Sequence, residues 1–283
     1  MRLLITNDDG IAAPGLEALV RAIARWIESC DADEAHQAVV VAPRTNQSGM
    51  SSAVGDVFSR PGVHYRRHYI EGADIVPAYS LEATPALCTI VGVLGDFGFH
   101  PDVVVSGINA GANVGRSVLH SGTIGAILTG AQLGLSGLAV SVQWGEDVHY
   151  DTAADVAVEV LAQMQDAPSR TLLNLNVPNL AAAELRGVRR GRISTAGIIK
   201  AAGAVAGGAP LGEEGELPLR LGAATPQLGD VSDEESDDDG ALIVAGYASL
   251  TPLRGVHEDT DATMDDIMRI SLAAIEGHLE LRR

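Results

Sequence analysis

Short apolar runs that break off into polar or glycine-containing turns recur through the first 180 residues, with helical periodicities between them. Leu3-Leu4-Ile5-Thr6 ends in Asn7-Asp8-Asp9-Gly10, and residues 36–42 (His-Gln-Ala-Val-Val-Val-Ala) stop at Pro43. Residues 101–106, 137–143 and 171–177 repeat the pattern, the last closed by Pro178. Runs of this length without polar alternation are strands buried on both faces, as in parallel sheets. Between the first two, Pro14 suits a first helical turn, and Leu16, Leu19, Val20, Ile23 and Ile27 share a helical face. Thr84-Pro85 opens a further helix through Leu87, Ile90, Val91 and Leu94, and Val156, Val160 and Met164 mark another. Strand, helix, strand leads to a parallel sheet. The expected class is therefore α/β, a Rossmann-like, doubly wound, mostly parallel sheet to about residue 180.

Three regions follow: a core over 1–180, an arm over 181–255 and a C-terminal helix over 256–283 that packs on the core. Residues 54–79 read as an excursion of small strands, and 197–229, rich in Gly, Ala and Pro, as an extended or loosely ordered insertion. The acidic run 230–239 fails as a calcium loop, because Glu235, Asp237, Asp239 and Gly240 would need an acid where Gly246 stands. It reads as a solvated loop. Residues 241–251 look β-like, and Thr263, Asp265 and Asp266 open a last helix whose face carries Met264, Ile267, Met268, Ser271 and Ile275.

A net charge of −18 argues against a nucleic-acid polymer or an anionic membrane as partner, since those grips need Lys and Arg against phosphates. A small anionic substrate held through a cation stays open. Cys30 and Cys88 give no disulfide framework, which favours a reducing compartment. No secretory leader is expected, because Leu3 to Thr6 is too short and Asp8-Asp9 follows. Residues 117–145 lack Asp, Glu, Lys and Arg, yet their glycines and hydroxyls suit a buried helix and strand better than a membrane span.

Asp8 and Asp9 lie where open α/β sheets place ligands. Adjacent carboxylates repel, so they make best sense around a divalent cation, the alternative being helix capping ahead of Pro14. Ser48, Asn109, Asn113 and Ser121 fall in loops at the same sheet edge and offer neutral oxygens or phosphate donors. An oxygen-rich set without a His or Cys cluster suits magnesium or manganese, which can polarise a phosphoryl oxygen and activate water. Hydrolysis of a phosphate ester is the leading reaction class. Dinucleotide chemistry fits worse, since the Gly107 to Gly115 loop lacks G-x-G-x-x-G, and a Walker-type site is excluded, since G-x-x-x-x-G-K-[ST] does not occur and the single Lys is Lys200. His120 is a candidate proton donor to the leaving group, with a packing role as the alternative. Trp26 and Trp144 read as packing residues.

Five ordered motifs resemble the SurE family of survival-protein phosphatases: residues 1–11 (Met-Arg-Leu-Leu-Ile-Thr-Asn-Asp-Asp-Gly-Ile), Val40-Val-Ala-Pro with Gln47-Ser48-Gly49, Thr84-Pro-Ala-Leu-Cys88, residues 105–115, and His120-Ser-Gly-Thr-Ile-Gly-Ala. Asn174-Leu-Asn-Val-Pro178 and residues 246–253 extend the likeness. The resemblance implies a cytoplasmic, metal-dependent phosphatase of nucleoside 5′- and 3′-monophosphates, with short polyphosphate as a further substrate class. It implies one Mg2+ or Mn2+ per subunit on Asp8, Asp9, Ser48 and Asn109, and phosphate contacts from Asn113, Ser121, Gly122 and Thr123. It also implies a homodimer or higher homo-oligomer joined by carboxyl-terminal arms. Residues 197–239 lack the family's aromatic and Arg-containing arm pattern, and Ala83 stands where Gly is usual. Two rivals remain: a non-catalytic nucleotide- or metal-sensing module, and a phosphatase forming an aspartyl-phosphate on Asp8 or Asp9.

Overall fold

The first strand, β1 (Arg2–Thr6), lies inside a nine-stranded sheet, because its three central residues are apolar on both faces. In a computed structural model of the chain, residues 1–31, 36–57, 59, 62–95, 97–195, 199–201, 221–223 and 236–256 are described. Residues Met1–Leu253 form one unit and Arg254–Arg283 another.

From β1 the chain passes through α1 (Pro14–Ser29), β2 (Gln37–Pro43), β3 (Tyr65–His68), β4 (Ala78–Leu81) and α2 (Pro85–Leu94). It continues through β5 (Val103–Ala110), a 3-10 turn at Gly115–His120, α3 (Gly122–Gln132), β6 (Ser136–Val142), α4 (Tyr150–Met164) and β7 (Leu172–Val177). With β8 (Val188–Arg190) and β11 (Ala248–Leu253) from farther along the chain, the spatial order is β3-β4-β2-β1-β5-β6-β7-β11-β8, with parallel pairing from β4 across to β7. Taken in chain order, those six parallel strands run 3-2-1-4-5-6, the doubly wound arrangement. The expected fold class is what the chain adopts.

Period-two alternation sorts the core into two layers. Leu3 and Ile5 face Leu16, Leu19 and Ile23 of α1 and Ala157 and Leu161 of α4, while Leu4 faces Cys88 of α2 and Ile124 and Ile127 of α3. Leu16, Leu19 and Ile23 are fully buried, which is worth roughly 1.5–3 kcal/mol each relative to exposure. The Thr84 hydroxyl accepts from the Leu87 amide, so α2 starts where the Thr-Pro pair predicts.

Among the described residues, the excursion over 54–79 contributes the edge pair β3 and β4. Beyond β7 come β8 (Val188–Arg190), a separate two-stranded sheet of β9 (Ile199–Ala201) and β10 (Leu221–Ala223), then α5 (Asp239–Val244) and β11 (Ala248–Leu253). The β-like reading of 241–251 is corrected over its first part, which is helical. The Asp238 carboxylate accepts from the Gly240 and Ala241 amides at 3.0 and 3.2 Å, and this cap outweighs the β preference of Ile243 and Val244. The solvated reading of 230–239 is corrected at Asp239, which is fully buried, while 230–235 lie outside the described residues. The apolar face expected at 264–275 also lies outside them, as do most of 197–229. Among the described residues no helix is long and apolar enough to cross a membrane.

Candidate active site

The winding of the sheet changes sides between β1 and β5, so a crevice opens at their carboxyl ends. Asn7 shapes the turn after β1: its Nδ2 donates to the Gly10 carbonyl at 2.9 Å and its Oδ1 accepts from the Gly10 amide at 3.2 Å. Gly10 has φ +101°, a left-handed conformation that frees the chain to turn into α1.

The two acids turn to different neighbours. Asp8, only 3% exposed, accepts through Oδ1 from the Thr123 hydroxyl at 2.7 Å, at the start of α3. Asp9, half-buried, accepts from the Ala110 amide at 3.2 Å through Oδ2 and from Asn46 Nδ2 at 3.2 Å through Oδ1. Burial raises the Asp8 carboxyl above its ordinary range, opposed by the Thr123 bond and reinforced by the charge of Asp9. Burial likewise raises Asp9 against its two hydrogen bonds. No described Lys or Arg lies within ion-pair distance of either acid. Two desolvated carboxylates with no cationic side chain beside them fit a divalent cation.

The other sequence candidates reach the same edge by different routes. Asn109 is the penultimate residue of β5, beyond a register shift against β6 between Ser106 and Asn109, and its Nδ2 donates to the Gly111 carbonyl at 2.5 Å. Ser48 is exposed, and its amide donates to Asn46 Oδ1 at 2.8 Å, so Asn46 ties the Ser48 turn to Asp9. Asn113 is buried, and its Nδ2 donates to Ser141 Oγ at 2.8 Å and to Thr123 Oγ1 at 3.4 Å. Ser121 caps α3 by accepting from the Ile124 amide at 3.1 Å. Gly122 abuts Asp8, such that an added Cβ would lie 2.7 Å from Asp8 Cβ. His120 ends the 3-10 turn and is exposed.

Thr123 therefore turns both its hydroxyl and its backbone amide to Asp8, which ties the acid turn to the helix start. Sequence reasoning missed Asn46, Asn174 and Asn176. Both β7 asparagines donate to the Asn113 carbonyl, at 2.8 and 3.1 Å, and Asn176 Oδ1 accepts from the Asn113 amide at 2.7 Å. Their signal was Asn at period two inside an apolar strand. Asn46 had no such signal, since Thr45, Asn46, Gln47 and Ser48 are equally polar. The packing role expected of Trp26 holds, as it stacks on His36 with centroids 4.6 Å apart; that of Trp144 fails, since it is 74% exposed.

A cavity of about 540 Å³ adjoins the loop after β2. Thr45 and Gln47 line it together with Val57, Val63 and Leu87, and the ion-paired Arg44 and Glu82 form its polar side. Gln47 links it to the acids, its amide donating to the Asp8 carbonyl at 2.6 Å.

The family model described as survival protein SurE matches residues 3–199. The chain is similar to the 5′/3′-nucleotidase SurE of Proteus mirabilis (strain HI4320), 36% identical over 264 residues, with 93% of this chain and 92% of that one covered. It is similar to the 5′-nucleotidase SurE of Pseudomonas fluorescens (strain Pf0-1), 36% identical, with 99% of each covered. Among solved structures it is similar to the SurE protein from Aquifex aeolicus, with TM-score 0.69 and 27% identity, covering 96% of this chain and 100% of that one.

Proposed function

The chain belongs to the SurE family, and from that premise we propose that it is a 5′-nucleotidase that hydrolyses nucleoside 5′- and 3′-monophosphates, and short polyphosphate, with one Mg2+ or Mn2+ per subunit. The observation that carries this reading is the pair of buried Asp8 and half-buried Asp9, which has no described cationic side chain in ion-pair reach and reaches the start of α3 through Asp8. Asp8, Asp9, Ser48 and Asn109 would hold the metal, which supplies Lewis acidity toward a phosphoryl oxygen and lowers the pKa of a water.

The chain's own residues do the positioning. Thr123 fixes the rotamer of Asp8, while Asn46 and the Ala110 amide fix that of Asp9. Gly122 opens an eleven-residue helix with no acid in its first turn, so its positive end receives phosphate. Asn113, held from both sides by β7, and the Ser121 hydroxyl complete that cradle. His120 supplies the proton to the departing sugar oxygen. In the proposed organisation, 1–180 carries the chemistry and 181–255 joins a homo-oligomer in the cytoplasm.

The test is phosphate release from AMP by the purified protein with Mn2+ and again after chelation. Turnover that stops on chelation and returns with Mn2+ supports the reading, and binding without turnover across nucleotide substrates favours a sensor.

We assign the nucleoside to the cavity beside the loop, which has apolar walls for a base and a polar side for ribose hydroxyls. Val63→Trp, which fills it, is expected to raise KM for AMP about tenfold while leaving inhibition by inorganic phosphate within twofold. A parallel change in both constants would place the nucleoside elsewhere.

A further inference from the structure

We propose that the buried carboxylate of Asp239 is a positioning residue that fastens the phosphate loop to the root of the arm between β8 and α5. Asp239 is fully buried and far from Asp8 in sequence, and no role in cation or substrate binding explains it. It is not needed as a helix cap, because Asp238 already caps α5. Its oxygens instead reach two other segments. The Gly115 amide donates to both of them, at 3.2 and 3.0 Å, and the Ser194 amide donates to Oδ1 at 3.1 Å.

Gly115 is the pivot of the proposed phosphate cradle. Asn113 lies two residues before it, and the 3-10 turn that it opens runs directly into Ser121 and α3. Ser194 belongs to the root of the arm, where its two ends close on each other. The Arg192 amide donates to the Asp237 carbonyl at 2.7 Å, and the Asp239 amide donates to the Arg192 carbonyl at 2.8 Å. One carboxylate thus bonds the closed root to the loop that orients Asn113. A neutral acceptor would hold such donors less firmly, since bonds to a carboxylate are the stronger kind.

The pattern makes Asp239→Asn a selective probe. Oδ1 also accepts from the Gly240 amide at 2.9 Å, so among the described residues it carries three bonds, whereas Oδ2 has only Gly115. The amide oxygen of Asn therefore takes the Oδ1 position and its NH2 confronts the Gly115 N–H, which keeps only the 3.2 Å bond to Oδ1, so the arm root stays bonded and the loop is loosened.

This inference rests on the phosphatase reading. In D239N, KM for AMP and the inhibition constant of inorganic phosphate are expected to rise together by about tenfold, with the Mn2+ activation constant within twofold. Amide hydrogen exchange over residues 111–121 should quicken. Unchanged constants with only a lower melting temperature would reduce Asp239 to a structural residue and overturn the proposal, as would an equal loss of Mn2+ activation. The exchange measurement needs no turnover: an inactive wild type would sink the phosphatase reading, and unaltered exchange in D239N would sink this one. Should D239N not fold, D239E keeps the charge but displaces the loop, and the same rise in both constants and faster exchange are expected; their absence overturns the proposal.

Discussion

Asp8→Asn is expected to abolish cation-stimulated release of phosphate from AMP, by at least about a hundredfold, while the metal-free protein melts no lower than wild type. The two effects separate because of what the Asp8 carboxylate does in each state. Without a cation it is a desolvated charge beside Asp9, held up by the Thr123 hydroxyl, and its carboxyl is raised above the ordinary range by burial. Asn is isosteric, keeps an oxygen for Thr123 and removes the repulsion from Asp9. With a cation, the lost charge removes much of the grip of a site whose remaining partners are one carboxylate and neutral oxygens. A metal-dependent rate that relies on several kcal/mol of charge stabilisation then falls by orders of magnitude. Two measurements check this: phosphate release across an Mn2+ titration, and melting curves with and without Mn2+. Wild type should melt higher with the ion and D8N should not, since a ligand that binds only the folded state stabilises it. Asp9→Asn should lose activity equally, but it also loses one of the two bonds that Asp9 accepts, from Asn46 and from Ala110, so its metal-free stability should fall. Full activity in either variant would end the case for the acidic pair.

Most of the sheet was legible because periodicity and strand ends are local properties. Leu3 to Thr6 announces a buried strand by composition, and Thr84-Pro85 announces a helix start by cap chemistry. The carboxyl-edge rule then places Asp8, Asp9, Ser48, Asn109, Asn113 and Ser121 near one another before any coordinates are known. What stays hidden is the second partner of each side chain. Nothing in the sequence says that Thr123 spends its hydroxyl on Asp8, or that Asn46, among four polar neighbours, turns to Asp9. The misread α5 is a case of competing local signals, a Leu-Ile-Val run against an Asp-Asp cap. Asp239 fails for a different reason: an acidic run has no periodicity that could mark one member as buried, and its partners Gly115 and Ser194 are 124 and 45 residues away.

Gly122→Ala should damage the crevice with a single methyl group. Intrinsic preference favours it, because Ala suits a helix better than Gly by up to about 1 kcal/mol. Packing opposes it, because the new Cβ would lie 2.7 Å from Asp8 Cβ and 2.9 Å from Asp8 Oδ2. The Asp8 Cβ is one bond from the backbone of a turn held by Asn7 and Gly10 and cannot swing aside, so α3 must back away. Overpacking of this kind is worth roughly 1–3 kcal/mol and exceeds the gain in helix preference, so the net effect is destabilising. Retreat of α3 also lengthens the bond from Thr123 to Asp8 and withdraws the helix start from the acids, and a misplacement of about 1 Å at a reacting centre is worth about a hundredfold in rate. Phosphate release should therefore fall by that order. Gly255→Ala is the control, since among the described residues its added Cβ meets nothing within 4 Å. Melting curves and initial rates on both variants decide it: a Gly122→Ala protein as active and as stable as the Gly255→Ala control would show that α3 need not touch Asp8, and the close contact between the acid turn and the helix start would lose its place in the mechanism.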